Sequence, residues 1–266
     1  MHLKVSHTTA YQYDKPVDYA LQQLRIMPKH STGQRVLNWV TQVEGGRSQV
    51  SYIDQHRNHV ELVSFDPEVR NVIIHCEGEV EVTLNDGVVG KHVGLAPLWL
   101  FKRQTELTKA GSGISKLARQ FKQVNGSDIM QFHALSAAIT DVVDYQIGQT
   151  GAMTSAEEAF CGGTGVCQDH AHIFISAARY LSYPARYVSG YLLMDDRIEQ
   201  EAGHAWAEVY LQDLGWVGFD VSNGICPDER YIRVATGLDY FEAAPVSGMR
   251  YGQSNENMIV SLQVQQ

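Results

Sequence analysis

The spacing of apolar residues changes twice along these 266 residues, and any fold must accommodate both changes. From Leu3 to about Val93, short strand-like segments such as VELVSF, VIIHC and VEVTL are parted by turn signals including EGGRSQ and NDG. The spacing then turns helical. SGISKLARQF is one such segment, and MQFHALSAAITDVVDYQI sets Leu135, Ile139, Val142 and Val143 on one face. TSAEEAF offers two capping boxes, Thr154 with Glu157 or Ser155 with Glu158. From Cys167 to Leu181 a further helix carries an apolar stripe of Ala171, Phe174, Ile175, Ala178 and Leu181, which predicts burial along one side. Beyond Pro184 the text reverts to strands in ARYVSGYLLM, GHAWAEVYL, GWVGFDV and MIVSLQV. Strands, then helices, then strands predict an α+β chain. The expected organisation is a β-sandwich-like N-terminal domain over 1–95, a connection over 96–108 and a second unit over 109–266.

Composition narrows the function. A formal charge of −9 argues against a partner whose phosphate backbone would demand a basic face, so no nucleic-acid partner is expected. The longest mostly apolar run, VGLAPLWLF, is about half a membrane span and is broken by Pro97, so no membrane partner is expected either. The N-terminus lacks the pattern of a secretory leader, and the expected location is cytoplasmic. Four cysteines, Cys76, Cys161, Cys167 and Cys226, are too sparse and irregular for a disulfide framework. In a reducing compartment they remain thiols.

One thiol stands where it can be activated. In GTGVCQDHAHIF, Cys167 follows a turn containing Gly162, Gly163 and Gly165 and opens the helix, where unpaired backbone N–H groups and the helix dipole favour a thiolate. A nucleophile of this kind needs a base, and the base needs a group to orient it. Strand alternation in GHAWAEVYL puts His204, Trp206, Glu208 and Tyr210 on one face, with Ala205, Ala207, Val209 and Leu211 on the other. A hairpin turn at QDLG, centred near Gln212 and Asp213, would set His204 opposite Asp220. His170, at i+3 from Cys167, is a rival base without an evident carboxylate partner. Zinc is a second rival, since Cys167, His170, His172 and His204 are possible ligands. Their spacing matches no strong metal motif, and no metal or cofactor is expected. Asp169 suits a capping role in the first turn. Gln168, His170, Tyr191 and Trp206 are expected to line the cleft or support the reacting groups. The loop MDDRIEQEAG would favour cationic substrates if it borders that cleft.

Taken in order, TSAEEAF, GTGVCQDHAHIF, YPARYVSGYL, GHAWAEVYL and GWVGFDVSNG resemble the bacterial transglutaminase-like superfamily, among whose members are candidate cysteine proteases. The resemblance extends to LKVSHTTAYQYDKPV and LRIMP, similar to the family's bacterial N-terminal region, and to VATGLDYFEAAPVSG near the C-terminus. It implies a papain-like transglutaminase core over 109–266, with the thiol's helix packed on an antiparallel sheet. It also implies that Cys167, His204 and Asp220 are the catalytic trio. Three positions depart from the family pattern: His170 stands where an aromatic or aliphatic residue is usual, Val221 where proline is, and Leu238 where arginine is. The expected chemistry is hydrolysis of a peptide, protein or small-amide bond through a thioester, with the Cys167 backbone N–H as oxyanion donor. Acyl transfer to an amine and a non-catalytic peptide-binding role are the alternatives.

Overall fold

The computed structural model describes residues 1–122, 127–252 and 254–266. Seven strands come first: His2–Val17 (β1), Tyr19–Leu24 (β2), Gln34–Glu44 (β3), Gly46–Ile53 (β4), His59–Phe65 (β5), Val69–Val82 (β6) and Val88–Gly90 (β7). The helical stretch holds Ser112–Arg119 (α1), Asp128–Thr140 (α2), the short strand Asp144–Tyr145 (β8), Ala156–Gly162 (α3), Thr164–Gly165 (β9) and Cys167–Tyr180 (α4). Strands then return as Ala185–Leu192 (β10), Glu199–Gln200 (β11), His204–Leu211 (β12), Gly215–Phe219 (β13) and Tyr231–Gly237 (β14). A short helix, Tyr240–Ala243 (α5), precedes Val246–Tyr251 (β15) and Glu256–Gln265 (β16). The architecture is α+β, as the spacing predicts.

Three sheets carry the fold. The β-rich region is built from the sheets β11-β16-β1-β6-β3 and β15-β2-β5-β4, and the core sheet runs β14-β10-β12-β13-β7. Chain order and sheet membership differ at three places, the smallest being β11, which pairs with β16. β7 pairs with β13 in the core sheet, although it lies within the first 95 residues. At the other end β15 pairs with β2 and β16 with β1 over ten positions, from Lys4–Gln265 to Tyr13–Glu256. The last strands of the 109–266 unit are therefore hydrogen-bonded into the N-terminal sheets. The physical reason is that β1 would otherwise leave a long row of unpaired backbone groups at a sheet edge, and β16 covers it.

The inward face of β1 serves two apolar cores. Leu3 and Val5 join Val80, Val82, Leu262 and Val264 in the cluster that also holds the buried helices and core sheet. Tyr11, Tyr13 and Val17 join the sandwich cluster with Ala20, Leu24 and Phe65. Between the two sets the same face carries polar His7 and Thr9, both buried. That polar interval marks where the cleft opens.

α4 is the central helix. The expected stripe is buried, except that Leu181 lies just past the helix and is only partly covered. Burial goes further than the stripe requires, because every residue from Asp169 to Arg179 is covered. The reason is three-sided packing: β12 presents Ala205, Ala207, Val209 and Leu211 to the sheet-facing side, and α1, α2 and α3 pack around the rest. Of the two possible capping boxes on α3, Ser155 with Glu158 forms: Ser155 Oγ accepts the Glu158 N–H, and Glu158 Oε2 accepts the Ser155 N–H at 2.9 Å. α2 ends at Thr140, so Val142 is half exposed while Leu135, Ile139 and Val143 are buried.

Candidate active site

Cys167 is the first residue of α4, immediately after its N-cap Val166. The approach to it depends on two glycines. Gly163 closes α3 in the left-handed region at φ 69°, a conformation that L side chains resist. A Cβ at Gly165 would stand 2.7 Å from that of Asp169, so the chain passes too close to α4 for any side chain. Asp169 acts as the cap its position suggests: its Oδ2 accepts the Val166 N–H at 2.8 Å and the Thr150 hydroxyl at 2.6 Å. The Cys167 N–H, at the start of the helix, has no intrahelical acceptor.

His204 begins β12 and Asp220 follows β13. The ladder register, from Ala207–Phe219 to Leu211–Gly215, centres the hairpin on Asp213. This differs from the expected direct opposition by two positions, because the turn is centred one residue later than opposition of His204 and Asp220 requires. Asp220 therefore reaches His204 diagonally, and its Oδ2 accepts the His204 Nε2–H at 2.6 Å. The same oxygen accepts from Asn223 Nδ2 and from the Tyr231 hydroxyl, both at 2.7 Å. Antiparallel bridging of Asp220 and Ile225 closes the turn that brings Asn223 to the carboxylate. Neither Asn223 nor Tyr231 was identified from the sequence. The usable signal for Asn223 is the turn-forming VSNG that follows Asp220.

Electrostatics tie the three groups together. Burial disfavours a charged His204, but the hydrogen bond to Asp220 and the negative charge that Asp220 and Cys167 can carry outweigh it. The imidazole is thereby raised to about 10. Burial opposes charge on Asp220 as well, and its hydrogen bonds to His204, Tyr231 and Asn223 together hold its carboxyl below the usual carboxylate range. A charged imidazole between carboxylate and thiol is thus the favoured state. Trp206 backs the His204 ring, with centroids 6.3 Å apart and planes 30° from parallel, and meets Tyr231 edge-on.

Cys167, Gln168 and His204 border a cavity of about 300 Å3. Its opposite wall belongs to the β-rich region: His7, Thr9 and Tyr11 on β1 and Arg25 just after β2. Tyr191 spans the junction. Its hydroxyl is hydrogen-bonded to His7 Nδ1 at 2.9 Å, and burial holds that histidine down to about 4, in its neutral form. The polar interval on β1 is the sequence signal that could have found His7 and Thr9. The acidic loop does border the cleft, through Glu201.

His170 is placed elsewhere. Its two ring nitrogens are occupied, Nδ1 by the Ser222 hydroxyl at 2.9 Å and Nε2 by the Val143 carbonyl at 3.0 Å, and burial lowers its basicity. It tethers the turn after Asp220 to the end of the α2 segment. His172 Nε2 accepts the Tyr240 N–H, and burial pushes this ring down to about 3. Among the described residues no group of three His, Cys, Asp or Glu side chains is arranged to hold a metal ion.

Comparison with known proteins identifies the family. Residues 3–81 match the bacterial transglutaminase-like N-terminal region, and residues 115–221, which include all three groups, match the transglutaminase-like superfamily. An uncharacterised Mycobacterium leprae protein is 27% identical over 98% of both chains. An uncharacterised Mycobacterium bovis protein is 38% identical over 140 residues, 49% of this chain and 44% of its own. A Cytophaga hutchinsonii crystal structure, described as a candidate cysteine protease, superposes with a TM-score of 0.78 at 22% identity, covering 99% of this chain and 90% of its own. That likeness extends the papain-like core and its β-rich partner to both proteins. No helix among the described residues is long and apolar enough to cross a membrane. The chain belongs to the transglutaminase-like superfamily, its core preceded by a bacterial transglutaminase-like N-terminal region.

Proposed function

We propose that the protein is a cysteine-dependent hydrolase of peptide or amide bonds, with Cys167 as nucleophile, His204 as its proton partner and Asp220 as the group that orients the imidazole. The observation that carries this reading is the 2.6 Å bond from His204 Nε2 to Asp220 Oδ2, which leaves the other ring nitrogen for Cys167 at the cavity wall. The Cys167 thiolate attacks the carbonyl carbon and forms a C–S bond. The oxyanion that develops meets the Cys167 N–H at the helix N-terminus. Collapse of this intermediate breaks the C–N bond, and the amine leaves with the proton carried by His204. Water, deprotonated by the now neutral His204, then attacks the thioester, releases the acid and restores the thiol. A cytoplasmic setting belongs to the same reading, since it keeps Cys167 and the other three free thiols reduced.

Intact-protein mass spectrometry after brief exposure to a library of peptides and small amides tests this. An acyl adduct on Cys167 that decays to free acid in water is the expected result. Decay only when an amine is added would replace hydrolysis by acyl transfer, and no adduct with any member would overturn the catalytic reading.

A further inference from the structure

A second cavity, of about 530 Å3, lies between the segment after β2, the end of β4, the residues around β7 and the core sheet. It shares no lining residue with the cavity at Cys167. Its walls carry Lys29, Arg57, Lys91, Arg186 and Arg233, and none of its lining residues is aspartate or glutamate. In a chain of formal charge −9 such a concentration is unusual.

The inner part of this site is built rather than incidental. Glu208, fully buried, is shared by two guanidiniums: Arg186 Nε bonds one of its oxygens, and Arg233 Nε donates at 2.7 Å and Nη2 at 3.1 Å. One carboxylate thus faces two arginines, leaving one positive charge unmatched. Arg186 is only 8% exposed, and its guanidinium carbon lies over Trp216, 3.8 Å from the ring centroid. Its Nη1 and Nη2 donate to no group among the described residues, so a rigid, nearly buried fork presents free N–H groups to the cavity. Lys29 sits beside it, its Nζ donating to the His56 carbonyl and the Thr236 hydroxyl. Burial, together with Arg233 and Arg186, holds its ammonium well below the ordinary range, and the nearby carboxylates of Glu208 and Asp54 do not offset this. Arg57 and Lys91 are exposed at the mouth.

We propose that this cavity binds a small phosphate-bearing anion, with Arg186 and Arg233 holding the phosphate oxygens and Arg57 and Lys91 closing over them. The one guanidinium charge that Glu208 leaves unmatched, with Arg57 and Lys91 at the mouth, exceeds what one carboxylate group would balance, whereas a phosphate brings about two charges and three acceptor oxygens suited to guanidinium forks. The volume is within the range of small-molecule sites. Nucleic acid does not fit the arrangement, because the innermost cations are recessed rather than spread over a face.

Titration calorimetry at low salt, with pyrophosphate as probe and citrate as the carboxylate arm, tests the proposal on the full chain. Pyrophosphate should bind one to one, and citrate at least tenfold more weakly. R57E/K91E, which changes only exposed mouth residues, should weaken pyrophosphate at least tenfold with an unchanged melting temperature. R70E/K109E makes the same charge change outside the cavity and should leave binding within twofold. Arg186→Lys keeps the charge but loses the fork and should also weaken binding, wherever its melting curve shows a folded protein. Absence of pyrophosphate binding, equal losses in the two double variants, or citrate binding as tight as pyrophosphate would each overturn it.

Discussion

Asp220 Oδ2 lies 2.6 Å from His204 Nε2 along a diagonal of the β12–β13 ladder, and it takes two further hydrogen bonds, from Asn223 and Tyr231. A carboxylate fixed by three donors cannot turn away from the imidazole, so the ring's orientation is set before any substrate arrives. This relationship also determines how the pair titrates.

Replacing Asp220 with Asn should lower the titration midpoint of His204 from about 10, because a hydrogen bond and a negative charge that favour the imidazolium are both lost. The stability difference between wild type and D220N follows from the same shifts. His204 is raised in the folded state, so its contribution is complete below its ordinary value of 6.5 and fades as pH rises toward about 10. Asp220 is lowered, so its contribution is present above 3.8 and fades as pH falls below that. Denaturant unfolding of both proteins across pH 3 to 10 should show the largest gap between these limits. An NMR midpoint for His204 that is unchanged in D220N would contradict the assigned pairing.

The four thiols should differ in reactivity toward iodoacetamide at pH 6. Burial pushes Cys76 up to about 12 and Cys226 up to about 11, and the exposed Cys161 is raised by local desolvation and by Glu157. Cys167 alone has an imidazolium beside it and a helix N-terminus beneath it. Peptide mapping should find label on Cys167 first, and His204→Ala should abolish the preference. Selective labelling that survives H204A would remove His204 from its proposed role.

Much of this arrangement was legible in the sequence, and what was not has particular causes. The succession of periods gave the strand, helix, strand order because side chains on one face of each element enter a common core. GTGVC signalled the helix start because only glycine passes Asp169 so closely. The two-residue register error came from the centre of a short turn, which residue types constrain loosely. The pairing of β16 with β1 was illegible for a different reason: alternation in MIVSLQV reveals a strand but not its partner, which lies at the other end of the chain. The basic cavity was equally hidden, since Lys29, Lys91, Arg186 and Arg233 come from four distant segments.

His170→Phe tests whether the histidine nearest Cys167 in sequence is structural. Both of its ring nitrogens are bonded, to Ser222 and Val143, and phenylalanine leaves those partners unpaired. A loss of about 1–3 kcal/mol is expected, the range for stranding buried polar groups. The rate of Cys167 alkylation should stay within a few fold of wild type, because His204 and Asp220 are untouched. Loss of alkylation with an intact melting curve would instead make His170 the base.

Glu208→Gln should be among the most destabilising single changes in the core sheet. The carboxylate is fully buried between Arg186 and Arg233. Burial opposes its charge, yet the two guanidiniums outweigh this and hold it down to about 2. Glutamine fills the same space but leaves two buried cations without a counter-charge, at a cost of roughly 3–5 kcal/mol, as when one partner of a buried ion pair is removed. Because the folded-state value lies below the ordinary 4.5, the stabilisation is present above that pH and is lost as pH falls toward 2. Urea unfolding of wild type and E208Q should therefore differ most near pH 7 and converge toward pH 2. A difference that stays constant over that range would mean that the variant fails through packing rather than through charge. The arginines would then need no anion, from the protein or from a ligand, to remain buried.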